Sequence, residues 1–198
     1  MNKPQIIILA GPKHSGKSST GKFLAEILDL SFFDTDTVLE KETGKMPKEL
    51  YKEGPEILRQ AEAKALSWIL EQNNCVIASG GGLIDNKKAM ELITKSPGII
   101  LVYLEISAET AWKRILAASA ATGLPAFLDT ANPMETNRII HTRRAEQYKS
   151  AAHLTIQAEN KSPEDLAGEI AGKIKILAAN HQPQRCPEAC RTRSQPDL

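Results

Sequence analysis

An apolar run, Ile6-Ile7-Ile8-Leu9-Ala10, leads directly into Gly11-Pro12-Lys13-His14-Ser15-Gly16-Lys17-Ser18. The octet fits G-x-x-x-x-G-K-[ST], a loop that requires a buried strand before it and a helix after it. Ser18-Ser19-Thr20-Gly21-Lys22-Phe23-Leu24-Ala25-Glu26-Ile27-Leu28 supplies that helix. Glycines let backbone amides come close to phosphate oxygens, and the start of a helix aims its free N–H groups at an anion. Lys17 is placed to reach β- and γ-phosphates, and the Ser18 hydroxyl is suited to Mg²⁺. A bound nucleoside triphosphate is therefore expected on Gly11, His14, Ser15, Gly16, Lys17, Ser18 and Ser19.

Further short β-type runs follow at Leu30–Phe33, Cys75–Ala78, Ile99–Leu104 and Leu154–Gln157, after the first at Gln5–Ala10. Helical stretches separate them. The clearest is Glu56–Gln72, where Ile57, Ala61, Ala65 and Trp68 with Ile69 recur at helical spacing and are expected to face the core. Alternating strands and helices predict an α/β fold, a parallel sheet with helices on both faces. Ligands in such sheets bind beyond the carboxyl ends of the strands. Gly11–Ser18, Asp34–Asp36 and Gly80–Gly82 each come directly after a strand, so all three are expected at one edge.

Two carboxylates two residues apart at a strand end, Asp34 and Asp36, can divide tasks. One holds the Mg²⁺ shell opposite Ser18 while the other meets a substrate hydroxyl. Alternatively Asp36 caps the helix that follows. Gly80-Gly81-Gly82 permits close backbone approach to a bound group, or is simply a flexible loop. Arg59 lies off the buried stripe, where it pairs with Glu56 or Glu62 at the surface. Arg143-Arg144 forms a solvated face or a two-pronged clamp for an anionic substrate. Ser119–Pro133, between helices at Ala108–Ala118 and Glu135–Lys149, reads as a lid or as a surface connection.

The 198 residues, 41% hydrophobic and 25% charged, suit one globular domain with a sizeable core. We take residues 1–179 as that domain and 180–198 as a disordered tail, since the apolar pattern stops near Ala179. A net charge of +1 gives no reason to expect nucleic acid or an anionic membrane as partner. No apolar run approaches the roughly 18 residues of a membrane helix, and no signal-peptide pattern precedes the first strand, so a cytoplasmic location is expected. Of three cysteines, Cys75 lies in an apolar run and is expected in the core. Cys186 and Cys190 lack a second ligand pair for zinc.

Together these residues resemble the shikimate kinase family, within the nucleoside-monophosphate-kinase-like group of phosphate-loop proteins. The resemblance runs from Ile6 to about Leu177. It is carried by the phosphate loop, Phe33-Asp34-Thr35-Asp36 with Glu40 and Thr43-Gly44, and Leu58-Arg59-Gln60-Ala61-Glu62. Ser79-Gly80-Gly81-Gly82, Val102-Tyr103-Leu104-Glu105 and Arg143-Arg144-Ala145-Glu146-Gln147-Tyr148 complete it. What the resemblance implies is a P-loop NTPase fold with a five-stranded parallel sheet, a lid and a substrate-binding subdomain. It also implies ATP-dependent phosphorylation of the 3-hydroxyl of shikimate, with Mg²⁺, by a monomer. Carried over by position, Asp34 supports Mg²⁺ through water, beside the Ser18 hydroxyl, and Asp36 meets the reacting hydroxyl. Arg59 and Arg144 would hold the substrate carboxylate, Gly80, Gly81 and Gly82 would line its site, and Arg114 and Pro163 would flank the adenine.

The lid departs from the family pattern. Where the family carries an Arg-Pro-Leu-Leu type motif whose arginine contacts the transferring phosphate, this chain has Gly123-Leu124-Pro125-Ala126-Phe127-Leu128. Leu124 stands at the arginine's place. Lys113, Arg114, Arg138 and Arg143 are the cations considered as substitutes. Two other readings stay open: a kinase of another hydroxy acid such as gluconate, and a nucleotide-binding regulator that has lost catalysis.

Overall fold

A computed structural model of the chain describes residues 6–180. Strands β1 (Ile6–Ala10), β2 (Ser31–Asp34), β3 (Cys75–Ala78), β4 (Ile99–Glu105) and β5 (Leu154–Gln157) form one sheet in the order β2-β3-β1-β4-β5. Every pairing is parallel. The central strand runs beside β3 from Ile6↔Cys75 to Leu9↔Ala78 and beside β4 from Ile6↔Ile99 to Ala10↔Tyr103. All of β1 is buried, because a parallel sheet is covered on both faces.

Alternate residues of β1 serve the two layers. Ile7 and Leu9 pack with Leu24 and Ala25 of α1 (Lys17–Leu28) and with Leu166, Ile170 and Ile174 of α8 (Pro163–Asn180). Ile6, Ile8 and Ala10 pack on the other side with Leu66, Ile69, Ile93 and Tyr148. Those four come from α4 (Pro55–Leu70), α5 (Lys87–Lys95) and α7 (Pro133–Ala151). Cys75 is fully buried in this layer, as its apolar setting predicts. A third cluster of Leu39, Leu50, Leu58 and Ala65 joins α2 (Thr35–Thr43) and α3 (Pro47–Glu53) to α4. This helical subdomain is inserted between β2 and β3.

The expected stripe of α4 needs correction. Ala65 and Ile69 are buried, but Ile57 and Trp68 remain 45% and 43% exposed. Leu58, Ala63 and Leu66 take the buried positions instead. The reason is that α4 packs against both the sheet and α2–α3, so its apolar face is broader than a single stripe and turned toward them. Trp68 and Phe33 make a T-shaped contact, centroids 5.9 Å apart.

Helix ends also move from the expected boundaries. The helix α6 (Ala108–Thr122) continues past Ala118 and stops at Gly123, whose φ of +70° favours a residue without Cβ. α7 begins at Pro133, where Asn132 Oδ1 accepts a hydrogen bond from the Glu135 amide. The lid therefore narrows to residues 123–132, with a 3-10 turn at Ala126–Leu128. Gln5 and the tail from His181, including Cys186 and Cys190, lie outside the described residues.

Candidate active site

The phosphate loop leaves β1 through Gly11, where a Cβ would lie 2.6 Å from the Leu104 carbonyl oxygen. Only glycine fits that turn. Gly16, at φ +96°, starts α1 so that its free amides face the loop. His14 adopts φ +60° without being glycine. The Lys17 ammonium is buried and donates to the carbonyls of Gly11 at 3.1 Å and Pro12 at 2.8 Å. Burial brings its pKa down to about 8, although Asp36 and Asp34 pull it upward. Ser15 is buried under the loop, while Ser18 and Ser19 are exposed at the start of α1.

Asp34 ends β2 and holds two groups. Its Oδ2 accepts from Ser18 Oγ at 2.5 Å, and its Oδ1 accepts from the Asp36 amide at 3.0 Å. Asp34 is thus the cap of α2, the role considered for Asp36, which instead lies in the first turn of the helix. A hydroxyl and a carboxylate side by side form a hard oxygen donor set that fits Mg²⁺. Asp36 is exposed at the start of α2, its carboxylate beside Gly80. Reduced hydration in the cleft, followed by the charges of Asp34 and Glu62, raises its pKa to about 6 against the pull of Lys17 and Lys13.

Each glycine of the triplet has its own neighbour. A Cβ on Gly80 would lie 3.1 Å from Asp36 Oδ1, on Gly81 3.1 Å from the Lys13 amide nitrogen, and on Gly82 2.7 Å from Arg59 Nη1. The absence of side chains there lets the carboxylate, the phosphate loop and the guanidinium converge. Thr35 Oγ1 accepts from the Gly80 amide at 2.9 Å, which ties the triplet to α2.

Arg59 is drawn inward rather than left at the surface. It donates to Glu62 at 2.8 Å, as one sequence alternative has it, and to the Gly82 carbonyl at 3.0 Å. Arg144 is 15% exposed and donates to Asp85 through Nε and Nη2 and to the Gly81 carbonyl. Its guanidinium lies 5.6 Å from the centre of the Phe127 ring in the lid. Arg143 is 56% exposed and also donates to Asp85, from the rim. The pair therefore splits: Arg144 faces the cleft and Arg143 mostly faces solvent. Arg114 reaches the loop and donates to the His14 carbonyl at 3.1 Å. Pro163 opens α8, and the segment before it meets the start of α6 where Glu159 accepts from the Ser107 amide.

A family model described as shikimate kinase matches residues 13–175. The chain belongs to the shikimate kinase family. It is 33% identical over 178 residues to a shikimate kinase of Moorella thermoacetica, covering 87% of this chain and 95% of that one. A shikimate kinase of Rhodococcus jostii is 30% identical over 168 residues, with 84% and 96% covered. Among solved structures, shikimate kinase from Acinetobacter baumannii in complex with shikimate superposes with a TM-score of 0.78. It is 28% identical to this chain and covers 90% of it, against 96% of its own length.

Several contributors to this family site were not legible in the sequence. Asp85 carries no periodic signal, yet it gathers Arg143 and Arg144 and lies 3.9 Å from Arg59. Asn86 Nδ2 braces Glu62 at 3.1 Å and the Arg59 carbonyl at 2.8 Å. Tyr148, stacked on Tyr103 with centroids 5.1 Å apart, accepts from the Ile84 amide and fixes the turn that carries Asp85. The one available hint for Asp85 was an acid three residues beyond a glycine run.

Proposed function

We propose that this chain transfers the γ-phosphoryl group of ATP to the 3-hydroxyl of shikimate, giving shikimate 3-phosphate and ADP. The observation that carries the reading is the placement of Asp36 and the Arg59–Arg144 pair around Gly80–Gly82, beside the phosphate loop, in a chain of this family. A carboxylate near neutral pKa suits a hydroxyl proton, and two guanidinium groups suit a carboxylate.

In the transfer, the acceptor oxygen forms a bond to the γ-phosphorus. The bond from that phosphorus to the β,γ-bridging oxygen breaks, its electron pair leaves with ADP, and the hydroxyl proton goes to Asp36. Lys17 turns from the loop carbonyls to the β- and γ-phosphates. Arg59 and Arg144 orient the acceptor through its carboxylate, and Gly81 offers backbone contact. Ser18 and Asp34 would hold Mg²⁺, which neutralises phosphate charge when bound. Arg114 and Pro163 are assigned to the adenine. The enzyme is proposed to act as a cytoplasmic monomer with no nucleic-acid or membrane partner; among the described residues no helix is long and apolar enough to cross a membrane.

ADP release measured with MgATP and shikimate, gluconate or no acceptor tests the reading. Turnover that depends on shikimate supports it. Turnover with gluconate alone, or ATP binding without turnover, would replace it with one of the two other readings.

A further inference from the structure

Phosphoryl transfer is accelerated mainly by positioning and by fixed positive charge around the migrating group. The lid brings no charge at residues 124–128, which are Leu, Pro, Ala, Phe and Leu. The cations considered as substitutes are engaged elsewhere. Lys113 pairs with Glu109 at 2.7 Å and Arg138 with Glu135 at 2.6 Å, on exposed helix surfaces. Arg143 is held by Asp85, and Arg114 by the His14 carbonyl. Arg59 and Arg144 are tied to Glu62, Asp85 and the glycine carbonyls. Lys48 of α3 lies at the base of the lid, its Nζ 3.3 Å from a Cβ built on Gly123.

Lys13 is different. It lies within the phosphate loop, is exposed, and has no hydrogen bond or ion pair among the described residues. Its backbone packs on the acceptor side of the loop: the amide nitrogen is 3.1 Å and Cα 3.5 Å from a Cβ built on Gly81. With Phe127, His141 and Arg144 it borders a cavity of about 20 Å³ between the loop, the lid turn and α7. Its charge is felt at Asp36 and at Lys17, the residues the kinase reading gives to the acceptor hydroxyl and to the β- and γ-phosphates.

We propose that Lys13 is a catalytic residue whose ammonium meets the phosphoryl group as it moves from ADP to the acceptor oxygen. Lys13 replaces the charge that Leu124 cannot supply. The inference rests on the kinase reading above. Lys13 neither gives nor takes a proton: its charge stabilises the three equatorial oxygens while Asp36 receives the hydroxyl proton. Because the side chain is exposed and unpaired, a neutral replacement leaves neither a cavity nor an orphaned partner.

The test compares the full chain with Lys13→Gln, Lys13→Arg, Leu124→Arg and the double variant Lys13→Gln/Leu124→Arg, at saturating MgATP and shikimate. Lys13→Gln is expected to lower kcat by about 10²-fold, as loss of a transition-state donor does. The KM for shikimate, ATP binding and Tm should stay near wild type. Lys13→Arg, or the lid arginine added to Lys13→Gln, should restore at least about a tenth of wild-type kcat, whereas Leu124→Arg alone changes little. Restoration by either route supports the proposal. Wild-type kcat in Lys13→Gln, or a loss that neither arginine repairs, overturns it while shikimate-dependent turnover of the wild type stands. Absence of that turnover in the wild type overturns the kinase reading itself, and this proposal with it.

Discussion

Asp85 Oδ2 accepts from Arg144 Nη2 at 2.7 Å and from Nε at 2.9 Å, so the guanidinium proposed for a substrate carboxylate already rests on one of the chain's own. Asp85 also holds Arg143 and faces Arg59, and Glu62 supplies the second negative charge. Three guanidinium groups against two carboxylates leave one positive charge for an incoming anion.

Removing Asp85 therefore has two opposed effects. The substrate meets less competition, but three like charges lose the group that holds them in place. Misplacement of a positioning group by about 1 Å costs on the order of 10²-fold, so we expect positioning to dominate. Asp85→Ala should raise the KM for shikimate about tenfold, corresponding to about 1.4 kcal/mol, with the KM for ATP unchanged. A fall in the shikimate KM would show that Asp85 competes with substrate rather than supporting its site.

Arg144→Lys separates charge from shape. Lysine keeps the positive charge but cannot serve Asp85 through two nitrogens while lying over Phe127. Steady-state kinetics should show a shikimate KM raised at least about tenfold, close to that of Arg144→Ala. Wild-type saturation in the lysine variant would reduce the role of Arg144 to charge alone.

Asp36 must be ionised to accept a proton, and its pKa is raised to about 6. The kcat/KM for shikimate should therefore fall as pH drops through 6 and level off above 7. Asp36→Asn should lower kcat by about 10²- to 10⁴-fold and abolish that acid limb in the remaining activity, while ATP binding changes little. An acid limb that survives in Asp36→Asn belongs to another group.

Lys17 links catalysis to stability. Its folded pKa, about 8, lies below the ordinary lysine value of 10.5 because the ammonium is buried. Between those values the unfolded chain binds more protons than the folded one, so stability rises with pH through that window. Below pH 8 the cost of the buried charge is fully present, partly offset by its bonds to the Gly11 and Pro12 carbonyls. Lys17→Met should abolish transfer and weaken ATP binding, yet raise the stability of the nucleotide-free protein by about 2 kcal/mol at pH 7. The gain should shrink toward pH 10.5. Urea unfolding at pH 7 and at pH 10 measures it, and a destabilised variant at pH 7 would show that burial of the Lys17 charge carries no net cost.

The layers and the strand-end cluster were legible because they follow from local rules. Five apolar runs give five strands, and an octet with fixed glycines gives the phosphate loop. Asp34, Asp36 and Gly80–Gly82 meet because each lies at or just beyond the carboxyl end of a strand of one parallel sheet. Strand order was not readable from spacing. Neither was the grouping of Arg59, Asp85 and Arg144, which α4, the turn at Leu83–Asp85 and α7 bring together from separate parts of the chain. Local signals also misassigned the face of α4, since a helix packed on two surfaces has no single stripe.

The packed face of α4 separates two neighbouring residues. Leu58 is buried with Leu39, Leu50 and Ala65, whereas its neighbour Ile57 lies near the surface. Leu58→Ala removes buried methyl groups where α2, α3 and α4 meet, and should cost about 2–4 kcal/mol. For a chain of this size that lowers Tm by roughly 5–15 °C. Ile57→Ala should cost under about 1 kcal/mol, because much of that side chain already contacts water. Thermal melts of the two variants compare one residue with the next along the same helix. If Ile57→Ala proved the more damaging, the stripe read from sequence would be the packed face after all, and α4 would be turned about its axis from the orientation that carries Arg59 to Gly82.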